Sequence, residues 1–137
     1  MKVFDLHCDT LYKAVTMSHG FSCSDYEVQT DVDFEKYLQC FAVWIPDDLS
    51  IKQGRALFEK AKITLPKECK INNINLVDSF KEINNSTKNK LAMFTLENCK
   101  IIDNDISYIK YLADSNIKTA TLTWNLSLIH ISEPTRH

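Results

Sequence analysis

The sequence predicts an α/β fold built on a parallel sheet, and within that class a (β/α)8 barrel. Apolar, strand-like runs alternate with helical patterns four times along the chain, which favours parallel strands joined by helices. Polar side chains able to bind metal or move protons follow three of these runs, and barrels build their active sites at the C-terminal ends of strands. An open doubly wound sheet would place a ligand there too, but usually with a glycine-rich first turn, and the chain holds only 2 glycines.

The elements of the N-terminal part can be assigned from local patterns. An apolar run over residues 3–6 predicts the first strand, and Thr10 can cap a short helix over residues 11–17. Residues 33–38 indicate one or two helical turns. The continuous apolar run over residues 40–45 is typical of a strand buried on both faces.

The middle of the chain predicts a long helix followed by less regular segments. Asp48 or Ser50 can cap a helix whose apolar residues recur at helical spacing, and Pro66 ends that helix or lies just beyond it. Residues 70–77 are ambiguous and are compatible with a short extended segment, whereas residues 78–84 predict a further helix.

Two more strands are predicted in the C-terminal part. The apolar run over residues 91–96 predicts the third strand, which ends at Glu97, and the β-branched run over residues 119–123 predicts the fourth. Asp103 or Asp105 can cap the helix between them. The buried side of that helix is expected to carry Ile106, Ile109, Tyr111 and Leu112.

Charge and composition exclude several classes of protein. A net charge of -2 and a pI near 6.1 give no electrostatic basis for binding nucleic acid or an anionic membrane. No signal-peptide pattern opens the chain and no apolar stretch approaches the ~20 residues of a spanning helix, so we expect a cytoplasmic protein. The 5 cysteines form no C-x-x-C pair, which argues against a disulfide framework and a structural zinc knuckle.

The first chemically capable residues are His7 and Asp9. Alternate side chains of a strand share a face, so both would project to one side and Cys8 to the other. An imidazole and a carboxylate on one face supply two ligands that zinc accepts, although a buried His hydrogen-bonded to a carboxylate gives the same pattern. Glu97 ends an otherwise apolar strand, which is costly unless its charge is paired or metal-bound. A salt bridge with Lys100 or a neighbouring lysine is the alternative for Glu97.

Three short blocks of sequence carry a resemblance to one family: D-L-H-C-D-T at residues 5–10, T-L-E at residues 95–97 and L-T-W-N at residues 122–125. With these blocks in this order, the chain resembles the membrane (renal) dipeptidase family of zinc peptidases, which have a metal-dependent barrel fold. The resemblance implies that His7 and Asp9 bind one zinc ion and that Glu97 bridges it to a second. It also implies that a short peptide is the substrate.

The resemblance further implies a role in substrate binding for Trp124 and Asn125. In the renal branch of the family, a His at the position of Trp124 polarises the scissile carbonyl. This chain has Trp there, whose N–H can donate one hydrogen bond. The family follows its bridging Glu with glycines, whereas Asn98 and Cys99 follow it here. The family takes two histidine ligands, an Arg and an Asp from later strands, so no catalytic residue is assigned within this chain.

Four β/α units make half of a (β/α)8 barrel, which takes about 250 residues. We therefore expect residues 1–125 to form a truncated N-terminal half of a dipeptidase barrel and residues 126–137 to be a foreign tail. The implied function is hydrolysis of dipeptides by a zinc-activated water, with the chain by itself inactive and able to form oligomers through open strand edges. The alternatives are another H-x-D barrel hydrolase, acting on an amide or a phosphoester, and a non-catalytic product.

Overall fold

Strands and helices alternate along the computed structural model, which describes residues 1–21 and 35–123. The described strands are β1 (Lys2–Asp5), β2 (Lys36–Trp44), β3 (Asn75–Leu76), β4 (Lys90–Glu97) and β5 (Thr119–Thr121). The described helices are α1 (Thr10–Met17), α2 (Ile51–Ile71), α3 (Phe80–Asn85) and α4 (Ile106–Asp114), with a 3-10 turn at Cys99–Ile102. None of these helices combines the length and the apolar composition that crossing a membrane requires.

The described strands form one parallel sheet with β2 and β4 at its centre. β1 pairs with β2, and β2 pairs with β4. The other edge of β4 is shared, because β3 lies against Leu91 and Ala92 and β5 lies against Thr95, Leu96 and Glu97. β3 falls in the segment that the sequence left ambiguous. The sheet curls into a half-barrel of parallel β/α units, which confirms the predicted fold class.

The two faces of the sheet bury separate apolar clusters. Successive strand residues face opposite sides, so Phe41 and Phe94 point towards the helices while Leu38 and Leu91 point to the inside of the half-barrel. Helices α1 and α2 cover the outer face and form the larger cluster with it. On the inner face, α3 contributes Ile83 to the smaller cluster. The candidate site lies at the C-terminal ends of the strands on the inner side, where Trp44 and Glu97 are partly exposed.

Helix α2 begins as predicted but does not end at Pro66. Ser50 caps it: Ser50 Oγ accepts from the Gln53 backbone N–H at 3.3 Å, and the Gln53 side chain accepts from the Ser50 N–H at 3.0 Å. The helix continues through Pro66, so the predicted boundary is wrong. Proline removes one backbone donor, but the buried face of the helix continues past it to Cys69, and the burial of that face outweighs the loss.

Two further local predictions are wrong because tertiary contacts override the local pattern. Residues 36–38, predicted as helical, belong to β2, where they pair with β1 and β4. Ile106 and Ile109 were expected on the buried side of α4, yet they are 81% and 50% exposed. The other two residues expected there do contact the core: Leu112 is buried in it and Tyr111 packs against it. The predicted cap of α4 is confirmed, since Asp105 Oδ1 accepts from the Ser107 backbone N–H at 3.0 Å.

Gly54, in the first turn of α2, leaves no room for a side chain. A Cβ there would lie 2.7 Å from Ile101 Cγ2 and 2.9 Å from Ile45 Cγ2. Glycine to alanine in a helix normally stabilises by up to ~1 kcal/mol, but overpacking costs about 1–3 kcal/mol. We therefore expect Gly54→Ala to lower the free energy of unfolding, measured by urea denaturation. The exposed Lys52→Ala is the control and should change it by less than ~0.5 kcal/mol. A Gly54→Ala chain as stable as the unaltered one would contradict this packing.

Candidate metal centre

The loop that follows β1 carries His7 and Asp9. Because β1 ends at Asp5, the loop and not strand alternation brings these two side chains to one side, which corrects the expected strand geometry. Asp5 Oδ1 accepts a hydrogen bond from the His7 backbone N–H at 3.2 Å, so Asp5 supports the loop. The Cys8 carbonyl accepts from the Ala42 N–H at 3.1 Å and ties the loop to β2.

The side chains of the loop divide between core and solvent. Cys8 is 3% exposed and belongs to the outer core, whereas the His7 side chain is 48% exposed. The thiol is therefore turned away from the imidazole, as predicted. Asp9 is the N-cap residue of α1, not Thr10 as predicted, because Thr10 is already helical and fully buried. The Asp9 carbonyl accepts from the Lys13 N–H at 3.0 Å, which starts the helix.

Glu97 is the last residue of β4 and lies on its inner face. It shares that face with Leu91 by strand alternation, and Trp44 is its partner in the register with β2. The Glu97 carbonyl accepts from the Ile45 N–H at 3.0 Å, so the strand end is held to the chain that follows β2. The Glu97 side chain is only 15% exposed. A carboxylate is thus placed, partly desolvated, at the C-terminal edge of the sheet.

The structure brings His7, Asp9 and Glu97 together at this edge. His7 Nε2 lies 3.3 Å from Asp9 Oδ1 and 3.5 Å from Glu97 Oε2. One potential ligand atom from each residue lies within 4.8 Å of the other two. Ligand atoms about 2.0–2.1 Å from a tetrahedral zinc ion lie about 3.4 Å apart, so the His7 distances match those between ligands of one ion. The geometry is that of a three-ligand metal site, and the role of these residues as ligands stays a prediction.

Two carboxylates in this cluster raise the electrostatic cost of the metal-free state. Burial raises the pKa of Glu97 above its ordinary value, and the nearby Asp9 carboxylate raises it further, while His7 acts in the opposite direction. The ionised form of Glu97 is therefore disfavoured unless positive charge is supplied nearby. A cation held among the three side chains would supply that charge.

Lys100 does not neutralise Glu97, although a salt bridge between them was the alternative from the sequence. Its Nζ instead donates to two backbone carbonyls, those of Asp47 and Leu49, the latter at 2.6 Å. Among the described residues, the ion-pair partner of the Glu97 carboxylate is His7. The carboxylate is therefore directed at the imidazole and the inner side of the half-barrel, not at the lysine.

An aromatic pair flanks the three residues. The rings of Tyr12 and Trp44 meet edge to face, with centroids 4.9 Å apart. Burial raises the pKa of Tyr12, and the carboxylates of Asp48 and Asp9 raise it further. Trp44 is partly exposed beside Glu97, whereas Phe41 is fully buried in the outer core. The inner end of β2 therefore offers an apolar wall next to the carboxylates.

Asn98 is a buried residue of this region that sequence reasoning did not identify as functional. It is 1% exposed and follows Glu97 directly. The available signal was an amide side chain in the position where the family resemblance implies glycine. Two other site predictions, Trp124 and Asn125, lie outside the described residues, and so does the predicted tail. Those predictions therefore remain untested.

Comparison with known proteins identifies the family. The family model described as membrane dipeptidase, peptidase family M19, matches residues 1–132. A solved structure described as the dipeptidase AC, a metallopeptidase of family M19, superposes with a TM-score of 0.70 at 12% sequence identity, over 90% of this chain and 43% of that one. At that identity the likeness concerns the fold, and this chain spans less than half the length of the solved relative. Comparison with curated proteins found no matching relative. The match over nearly the whole sequence shows that the chain belongs to the membrane dipeptidase family, peptidase family M19.

Proposed function

We propose that this chain supplies the first metal-binding strands of a zinc-dependent dipeptidase, an enzyme that hydrolyses the peptide bond of dipeptides. The observation that carries the proposal is the convergence of His7, Asp9 and Glu97 at the C-terminal edge of a half-barrel. These three residues stand in the same order as the three ligands expected from the family resemblance. A short peptide is the proposed substrate, and membership of the dipeptidase family supports it.

The three side chains suit zinc in chemistry as well as in spacing. Imidazole nitrogen and carboxylate oxygen are both ligand types that zinc accepts, and no thiol joins the three residues because Cys8 is buried in the core. The exposed imidazole leaves a route from solvent to the cluster. The partial burial of Glu97 favours a bound cation, since an ionised carboxylate in that position needs a positive partner.

Each residue has a distinct part in the proposed centre. His7 and Asp9 would hold one zinc ion, and Glu97 would hold the same ion and a second one, because a carboxylate has two oxygens. Zinc ions in such a centre supply Lewis acidity that activates a water and polarises a peptide carbonyl. Asp5 keeps the His7 backbone in place through its hydrogen bond. Trp44 and Tyr12 would form an apolar wall for one side chain of the peptide.

A zinc titration against a chromophoric chelator tests the metal site in the chain as it stands. We expect weak binding, because three ligands without the rest of a centre hold zinc poorly, and we expect Glu97→Gln to remove it. Asp114→Asn is the control, since it also removes one negative charge but lies on α4, where Asp114 is exposed and pairs with Lys110. Equal zinc affinity in Glu97→Gln and the unaltered chain would contradict the proposed ligand set.

The reaction is tested with residues 1–123 fused to the second half of a family barrel. We expect zinc-dependent release of amino acids from dipeptides and no hydrolysis of a phosphoester, because the family match favours a peptide substrate. The same fusion with Glu97→Gln should be inactive. A zinc-loaded fusion that hydrolyses the phosphoester but no dipeptide would overturn the proposed reaction.

A further inference from the structure

The buried side-chain amide of Asn98 joins the end of β4 to the segment that follows β2. Asn98 Nδ2 donates to the Ile45 carbonyl at 2.8 Å and to Asp47 Oδ1 at 2.6 Å. Asn98 Oδ1 accepts from the Lys100 backbone N–H at 3.2 Å. Both ends of this side chain are therefore bonded within the protein, as a fully buried amide requires.

The backbone around Asn98 adds a second set of links. The Asn98 N–H donates to Thr121 Oγ1 at 3.2 Å, which reaches β5 on the other side of β4. The Ile45 peptide is bonded twice, because its N–H donates to the Glu97 carbonyl and its own carbonyl accepts from Asn98. The segment after Glu97 is thus hydrogen-bonded to β5 on one side and to the segment after β2 on the other. These bonds restrict the backbone conformation at Glu97.

The conformation of Asn98 indicates that its side chain is needed there. Its φ is 71° and its ψ is 102°, in the half of conformational space that only glycine enters freely. A side chain in such a conformation is strained and persists where surrounding contacts over-determine it. Glycine would remove the strain but would also remove every hydrogen bond of the amide. The strained asparagine is consistent with a requirement for those bonds beside Glu97.

We propose that Asn98 is a positioning residue for Glu97: its amide holds the turn after β4 against the Ile45–Asp47 segment and so fixes the carboxylate opposite His7 and Asp9. The inference rests on the proposed function, because it assigns Asn98 a role in the geometry of that metal site. It differs from a backbone role, in which any residue tolerating positive φ would serve equally well.

Asn98→Gly and Asn98→Asp separate the two roles. Glycine keeps the backbone conformation without the amide, and an ionised Asp keeps the shape but has no donor for Ile45 and Asp47. Both variants should bind Co²⁺ about 10- to 100-fold more weakly than the unaltered chain and change the visible absorption of the bound ion, as losses of supporting bonds around ligands do. Asn116→Gly is the matched control, since exposed Asn116 also has a positive φ of 66° and lies outside the site. It should bind Co²⁺ like the unaltered chain.

Amide hydrogen exchange in the metal-free chain independently tests whether the Asn98 hydrogen bonds hold the Ile45–Asp47 segment. The Ile45 N–H should exchange faster in Asn98→Gly than in Asn116→Gly. Asp47→Ala, which leaves residue 98 intact, covers the case in which an Asn98 variant does not fold. It should weaken Co²⁺ binding more than Asp48→Ala, which removes the same charge one residue along.

The outcomes distinguish failure of the positioning role of Asn98 from failure of the proposed metal centre. Co²⁺ affinity and absorption in Asn98→Gly equal to those of the unaltered chain would overturn the positioning role, even if Ile45 exchanged faster. An unchanged exchange rate of the Ile45 N–H in Asn98→Gly would mean that the Asn98 hydrogen bonds do not hold the Ile45–Asp47 segment. Failure of the unaltered chain to bind Co²⁺ or zinc would overturn the proposed metal centre, and with it the role of Asn98 there. The exchange data would still show whether the Asn98 hydrogen bonds hold the Ile45–Asp47 segment.

Discussion

The Asp9→Asn chain is expected to bind zinc at least about a hundredfold more weakly than the unaltered chain, because a neutral amide replaces an anionic ligand. Four-ligand zinc sites gain about 10–16 kcal/mol on binding, so one ligand contributes ~3 kcal/mol, or about two powers of ten in affinity. The Asp9 side chain makes no capping hydrogen bond to α1, so the substitution should leave the helix in place. Competitive titration with a chromophoric chelator measures the affinity, and circular dichroism checks the fold.

Cys8→Ala is the matched control for Asp9→Asn. The two residues are neighbours, but the Cys8 side chain is 3% exposed and packs in the outer core. Cys8→Ala should therefore lower stability slightly and leave zinc affinity unchanged. If Cys8→Ala lost zinc while Asp9→Asn kept it, the loop would present its thiol and not its carboxylate to the metal, and the assigned ligand set would be wrong.

Phe58→Ala is expected to lower the free energy of unfolding by about 3–5 kcal/mol, the usual cost of removing a fully buried phenylalanine. Phe58 has no exposed surface and stacks on Phe94 with ring centroids 5.6 Å apart. It also meets Tyr111 edge to face at 6.3 Å, so a single ring joins α2 to β4 and α4. Urea denaturation followed by circular dichroism measures the loss.

Ile63→Ala on the same helix provides the comparison for Phe58→Ala. Ile63 is 72% exposed, so its truncation should change stability by less than ~0.5 kcal/mol. Similar losses for the two variants would mean that α2 does not pack on the sheet through the face that carries Phe58. Loss of stability in Phe58→Ala should also weaken zinc binding indirectly, because Phe94 lies on the strand that ends in Glu97.

Contacts between segments far apart in sequence produced several features that local patterns could not predict. Residues 36–38 follow a helix-like pattern but become strand, because β1 and β4 offer backbone partners on both sides. Pro66 reads as a helix end but is tolerated, because the buried face of α2 continues past it. Ile106 and Ile109 have helical spacing, yet they are exposed, because α4 contacts the core around Leu112. At residues 36–38 packing outweighs a local preference worth less than ~1 kcal/mol per residue, and at Pro66 it outweighs a cost of about 3 kcal/mol.

The sequence by itself predicted the alternation of strands and helices, the parallel sheet and, with the family resemblance, the three residues of the candidate site. These predictions rest on local properties: apolar runs, helix caps such as Ser50, and the position of Glu97 at a strand end. Local properties can be predicted from the sequence because they depend on residues close to one another along the chain. Only the tertiary structure decided that His7 Nε2 lies 3.5 Å from Glu97 Oε2, and that Asn98 ties the end of β4 to Ile45 and Asp47. Those distances depend on strand register and loop conformation, which arise when segments far apart in sequence pack against one another.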